Sequence, residues 1–324
     1  MTVSMPSASP PPGKPNAPQR RRGPRRGATP TISVVVASCR TPALLDACLS
    51  SLRGQCEQMG AQLIVARSAS TGDVGSLAKT YPDVEFIEAP SGASIPELRG
   101  IGMAQAAGDI VALTEDHCVA DEHWLESIAQ QAGDGAHVIG GGMGNAQRDR
   151  TIDWAAYFSE YGFFAPGRPT AENAVPLLTG ANVAYSRDVI DDVIEWARQG
   201  EWENVAHDRL FARGSVLRFA RTAAISQNQQ YAFRGFCRDR YEHGRDYARK
   251  RLAEESGGAR RWLLFAATPL LPAVLSWRVA RAVGAAQRKP FLRALPVTFM
   301  FFASWAAGEA VGYLRGPSKA SGTP

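Results

Sequence analysis

Over its first half the chain alternates short, unbroken apolar runs with longer segments in which apolar residues recur every three or four positions. "TISVVVAS" (31–38) is a β-branched run bounded by Pro30 and by Thr41-Pro42, which predicts a buried strand. "PALLDACLSSLRGQ" follows with Leu44, Leu45, Cys48, Leu49 and Leu52 on one helical face. "AQLIVA" (61–66), "VEFIEA" (84–89) and "DIVALT" (109–114) read as further strands. Helical patterns in "GSLAKTYP" and "PELRGIGMAQAAG" lie between them. This alternation predicts βαβ units and an α/β fold with a mainly parallel sheet. Ligands of such sheets bind beyond the carboxyl ends of the strands, so Ala37–Arg40, Arg67–Thr71 and Glu115–His117 are expected on one rim.

The pattern loosens after residue 130. "HVIGGGMGN" (137–145) predicts a strand running into a glycine turn, and "DWAAYFSEYGFF" (153–164) an aromatic helix, read as core. "LLTGANVAYSRDVIDDVIEWARQ" gives a turn, a strand and a helix capped near Ser186. "EWENVAHDRLFARG" gives a helix opened around Glu203-Asn204 and stopped by Gly214. Two strongly apolar segments close the chain, 261–277 and 294–308, each shorter than the ~20 residues that cross a bilayer. Arginine and lysine flank both on every side, and Trp262, Trp277 and Trp305 stand near their ends. A pair of interfacial or re-entrant helices with every flank cytoplasmic satisfies both length and charge.

Charge changes the picture at the N-terminus. The net +5 includes six positive and no negative residues among positions 1–30, so the rest sits near −1. The expected organisation is a disordered basic tail (1–30), a folded domain (31–250), a hydrophobic membrane-associating region (251–316) and a disordered tail (317–324). The folded part lacks the basic surplus of a nucleic-acid binder. Five cysteines without a C-x-x-C pair argue against a disulfide or zinc framework.

Glu115, Asp116 and His117 stand side by side where a strand ends on the ligand rim. Like charges so close repel, and a metal ion, a protonated partner or solvent would each relieve them.

Four motifs in order now carry a resemblance. "SVVVASCRTPALLDACLSSLRGQ", "LRGIGMAQAAGDIVALTEDHC", "TGANVAYSRDVI" and "WENVAHDRLFARG" resemble the opening strand and helix, the approach to the acidic metal motif, the pocket-lining turn and the base-bearing helix of family-2 glycosyltransferases of the GT-A fold. The likeness is to a bacterial, membrane-associated member with hydrophobic C-terminal helices. It covers 31–250, and a weaker likeness continues to about residue 316. It implies a nucleotide-sugar donor, an inverting transfer and a divalent cation, Mn²⁺ or Mg²⁺, that neutralises charge growing on the departing diphosphate. It also implies two metal ligands among Glu115, Asp116 and His117, and a carboxylate with an imidazole suits Mn²⁺ better. Glu203 takes the position of the catalytic base, with Asp208 behind it. Ala37, Ser38, Arg67, Arg99, Glu115, Asp116, Asn182, His243 and Arg245 fall on donor-binding positions. Expected partners are a nucleotide sugar, a glycan or lipid-linked acceptor and the membrane surface at the cytoplasmic face, with no nucleic acid.

Two departures stand out. "ARSAST" replaces the family's acidic nucleobase turn, placing Arg67 and Ser68 where carboxylates are customary. "AISQNQQ" (224–230) lacks the histidine often found after the base helix, leaving Gln227 or Asn228 there. A non-catalytic scaffold of the same fold is the alternative that these departures raise. Retention of Glu115, His117 and Glu203 on the rim argues for the enzyme, because a scaffold has no need of them there.

Overall fold

A computed structural model of the chain describes residues 31–72, 74–166, 178–254 and 258–316. The two expected tails lie outside the described residues. The chain runs β1 (Ile32–Ser38), α1 (Pro42–Met59), β2 (Gln62–Ser68), α2 (Gly75–Thr80), β3 (Val84–Ala89), α3 (Ile95–Met103), β4 (Ile110–Glu115) and β5 (Cys118–Ala120). It continues through α4 (Trp124–Gly133), β6 (Val138–Asn145), α5 (Thr151–Glu160), β7 (Val183–Ser186), α6 (Arg187–Arg198), α7 (Glu203–Ala212) and β8 (Leu217–Gln227). Four helices follow: α8 (Phe233–Glu254), α9 (Gly258–Ala267), α10 (Leu271–Ala282) and α11 (Ala285–Arg315).

The strands form one sheet in the order β3-β2-β1-β4-β7-β6-β8-β5. β1 is buried along its whole length because β2 and β4 flank it in parallel and helices cover both faces. One core lies under α1 and α4, around Leu45, Leu49, Leu52 and Trp124. The other lies under α3, α6 and α7, around Met103, Ile190, Val193 and Leu210. α3 is fixed at its start by a capping box in which Ser94 and Glu97 each take the other's backbone N–H.

The sheet is more mixed than the alternation predicts. β7 pairs antiparallel to both β4 and β6, and β5 antiparallel to β8. β5 is only three residues long, too short for a periodic signal. Its effect is large, because it carries the chain from Glu115 across the rim to β8, where Asn228 N–H donates to the His117 carbonyl.

The C-terminal region departs furthest from expectation. Helical structure spans Arg260–Ala282 (23 residues) and Ala285–Arg315 (31 residues), whose most apolar 18-residue stretches have mean hydropathies of 1.5 and 1.3. By length and composition both are long enough to cross a bilayer, so the expected shortness does not hold. Pro269 and Pro272 do not break the first because each stands at the opening of a helical turn, where a missing N–H costs nothing. α11 buries Phe291, Phe301 and Phe302 against α5 and α8. Its contact with α8 is direct: side chains added at Gly244, Gly308 or Gly312 would strike the facing helix backbone or Ala248. Leu263, Leu270, Trp262, Trp277, Leu292 and Met300 of the same region are exposed. Trp305 is not among these anchors; its indole donates to Glu309 and lies 4.6 Å beneath the Arg240 guanidinium.

Candidate active site

The rim residues are placed by the ends of β1, β2 and β4, and α7 brings its first residue over them. Glu115 ends β4, and its Oε1 accepts from Arg99 Nη2 at 2.5 Å. Arg99 belongs to α3, and its other terminal nitrogen donates to Glu203 Oε2 at 2.9 Å. Glu203 Oε1 accepts from the Gly180 N–H at 2.9 Å. One buried guanidinium thus joins the two carboxylates. A Cβ at Gly180 would fall on the Arg99 guanidinium and displace it from its place between the two carboxylates.

The environment sets the charges. Burial pushes the Glu203 carboxyl up, but the Arg99 charge and the backbone N–H of Gly180 outweigh it and hold it below the usual carboxylate range. Burial disfavours charge on Arg99 too, yet Glu203 and Glu115 together hold it fully protonated. Trp202, the residue before Glu203, is exposed.

His117 lies on the other side of Glu115. Its Nε2 is 3.1 Å from the Tyr161 hydroxyl, and its Nδ1 is 3.5 Å from Glu115 Oε2. That Nδ1 is buried without a hydrogen-bond partner. In the tautomer that gives Nε2–H to Tyr161, a nitrogen lone pair faces a carboxylate oxygen with no donor between them. A cation with affinity for nitrogen and oxygen satisfies both, so the pair fits a divalent metal. Among the described residues no group of three or more His, Cys, Asp or Glu side chains is arranged to hold an ion. Two protein ligands are the usual complement where substrate phosphates and water fill the other positions.

Other expected residues have different tasks. Asp116 Oδ2 accepts from Ser38 Oγ at 2.8 Å and from the Arg40 N–H at 2.6 Å, and it is almost wholly buried. Its backbone N–H donates to the Ala37 carbonyl. Burial raises its carboxyl, with the Arg40 N–H acting against that. Arg67 lies in β2 rather than in a loop. It donates to Ser38 Oγ, Thr71 O and Gly72 O and stands 3.9 Å from Asp116, so it braces the end of the sheet. His243 meets Trp202 edge-on, and Arg245 pairs with Asp246 on α8. Asp208 is exposed on α7.

Asn182 is spent inside the fold. Its Oδ1 accepts from Trp124 Nε1, and its Nδ2 donates to the carbonyls of Gly142 and Ala223. Asn182→Ala leaves these buried groups unpaired, and a loss of about 3 kcal/mol is expected in chemical denaturation. Full stability of that variant would show that water replaces the side chain.

Sequence reasoning did not single out Tyr161, Gly180 or His207. Tyr161 lay in an aromatic run read as core, and Gly180 stood in the quoted "TGAN" turn. His207 is buried behind Glu203 and 2.9 Å from the Tyr185 hydroxyl. Burial pushes its pKa from 6.5 down to about 4, although the Glu203 charge pulls it up. The folded ring therefore refuses a proton that the unfolded chain accepts. Stability is full above pH 6.5 and is lost as pH falls towards 4, by about 3 kcal/mol in all. Denaturation midpoints across that window check this, and His207→Gln should flatten the profile.

A cavity of about 690 Å³ lies elsewhere, between the ends of β6 and β8 and the start of α11. None of the residues of the Glu115–Arg99–Glu203 cluster lines it.

Comparison with known proteins identifies the family and the fold. The profile described as "Glycosyl transferase family 2" matches residues 33–194. Among solved structures, the mannosyltransferase PcManGT of Pyrobaculum calidifontis, in complex with GDP-Man and Mn²⁺, has a similar fold. The likeness has a TM-score of 0.55 at 16% identity, over 90% of this chain and 89% of that one. GalNAc-T7, with UDP, GalNAc and Mn²⁺, gives 0.48 at 12% identity over 63% and 44% of the two chains. Residues 1–349 of TarS from S. aureus give 0.45 at 13% over 86% and 90%. The last two are too loose to carry an argument. No curated protein matches the sequence.

Proposed function

The chain belongs to glycosyl transferase family 2, and from that premise we propose that it moves a sugar from a nucleotide-sugar donor to an acceptor hydroxyl with inversion at the anomeric carbon. The observation that carries the reading is the convergence of Glu115 and Glu203 on one buried guanidinium at the sheet rim. A donor-side carboxylate and an acceptor-side carboxylate are thereby held in a single cleft.

In the transfer, the acceptor oxygen forms its bond to the anomeric carbon while its proton passes to Glu203. The bond from that carbon to the donor phosphate breaks, and its electron pair leaves with the nucleoside diphosphate. Glu115 and His117 would hold a divalent cation, which when bound neutralises charge on the diphosphate oxygens. Asp116 and Arg67 keep the ends of β1 and β2 in register beneath that site. Gly180 aims Glu203 through its N–H. Isothermal calorimetry with a panel of nucleotide sugars, with and without Mn²⁺, tests the reading. Binding of at least one donor is expected, stronger with the cation. Silence across the panel would overturn it.

The acceptor is proposed to be a lipid-linked or cell-envelope glycan presented at the cytoplasmic face of the membrane. The support is the exposed apolar side of α9–α11, bordered by Arg260, Arg278, Arg281, Arg288, Lys289 and Arg293. Removing the region is a poor test, because α11 completes the core with α5 and α8. Substituting surface residues avoids this. Changing Leu263 and Trp277 together to glutamate is expected to lower partitioning onto anionic vesicles at least about tenfold in flotation, since both side chains lose apolar burial. Unchanged flotation would place the membrane contact elsewhere.

A further inference from the structure

We propose that Arg99 is a positioning residue that couples the two halves of the site, so that the charge at Glu203 sets how firmly Glu115 and His117 hold a cation. This rests on the reading of those residues given above and extends it to Arg99. The guanidinium is almost wholly buried and gives one terminal nitrogen to each carboxylate. Glu115 divides its two oxygens, with Oε1 on Arg99 and Oε2 beside His117 Nδ1. A divalent ion seated between Oε2 and Nδ1 therefore lies across one carboxylate from a fixed positive charge. In a site from which water is largely excluded, the two repel over this short distance. Glu203 is the counter-charge that makes the arrangement tolerable, because it offsets Arg99 from the far side.

The signs follow. Neutralising Glu203 leaves Arg99 less compensated and loosens the cation, although Glu203 does not touch the cation seat. Neutralising Arg99 removes the repulsion and tightens the cation, while the base loses its anchor and turnover falls. A merely structural role would weaken binding in both variants. Opposed shifts distinguish coupling from damage.

Mn²⁺ alone is the probe, titrated into the full-length protein and followed by the electron paramagnetic resonance of the free ion. Glu203→Gln is expected to raise the Mn²⁺ dissociation constant about tenfold, and Arg99→Gln to lower it by a similar factor. Glu203→Gln keeps an oxygen for the Gly180 N–H. If Arg99→Gln does not fold, the double variant with Glu203→Gln takes its place: a dissociation constant at or below that of the wild type is expected, and one raised further than in Glu203→Gln alone would overturn the coupling. An unchanged constant in Glu203→Gln, or a rise in both variants, would overturn the coupling and leave the transferase reading intact. Failure of the wild-type protein to bind Mn²⁺ would overturn the cation seat itself and the coupling with it.

Discussion

Glu203→Gln is expected to lower kcat about 10³-fold, with donor binding in the presence of cation weakened far less. Glutamine keeps the shape and one oxygen for the Gly180 N–H but cannot accept the acceptor's proton. The wild-type carboxylate is a weak base, since Arg99 and Gly180 hold it below the usual carboxylate range. A weak base suffices here. The attacking hydroxyl becomes strongly acidic only as its oxygen bonds to the anomeric carbon, so proton transfer has its driving force late in the reaction. The same electrostatics place the acidic limb of kcat/KM below the range of an ordinary glutamate, because Glu203 stays ionised there. Steady-state kinetics over a pH series check both points. Retention of full turnover by the variant would move the base elsewhere.

Glu115→Ala should be the most damaging change on the donor side. It removes one half of the Glu115–His117 pair and one of the two ion pairs of Arg99 at once. Loss of a partner outside the ligand shell already costs about 10–100-fold in metal affinity, so loss of a ligand should cost at least about 100-fold. Arg99 would then be shared with Glu203 alone, and the burial that the two carboxylates made tolerable would be only half compensated. The variant is therefore also expected to unfold at lower denaturant. Mn²⁺ titration and denaturation on the same sample separate the two effects. Wild-type affinity in Glu115→Ala would place the ion at other residues.

How far these features could be read from residues alone depends on the range of the interaction that makes them. β1, β4 and the first strand–helix units follow from unbroken apolar runs such as "SVVV", where local pattern and burial coincide. The convergence of Glu115 and Glu203 was visible only as motif order, since the residue that joins them is Arg99, set in an otherwise apolar helix face. Nothing in its neighbours announces a double ion pair to carboxylates 16 and 104 positions further along the chain. Asn182 shows the reverse difficulty. Its turn looked like a polar ligand-binding loop, yet three partners from separate segments, Trp124, Gly142 and Ala223, consume its amide. α11 extends well beyond the apolar run 294–308 because its flanking turns are polar, and Pro290 and Pro296 lie within the helix.

The glycines where α8 meets α11 have a mechanical consequence. With Gly244 against the Trp305 backbone, and Gly308 against that of Tyr241 and Arg245, no side chain intervenes that could change rotamer and let one helix slide on the other. α8 also reaches the start of α7, where His243 meets Trp202 edge-on beside Glu203. In the proposed membrane-bound state, the C-terminal helices and the end of α7 that carries Glu203 would be parts of a single stiff lever. On a bilayer it would act as a ruler, holding the reaction at a set height above the headgroups and favouring acceptors whose reactive hydroxyl stands at that height.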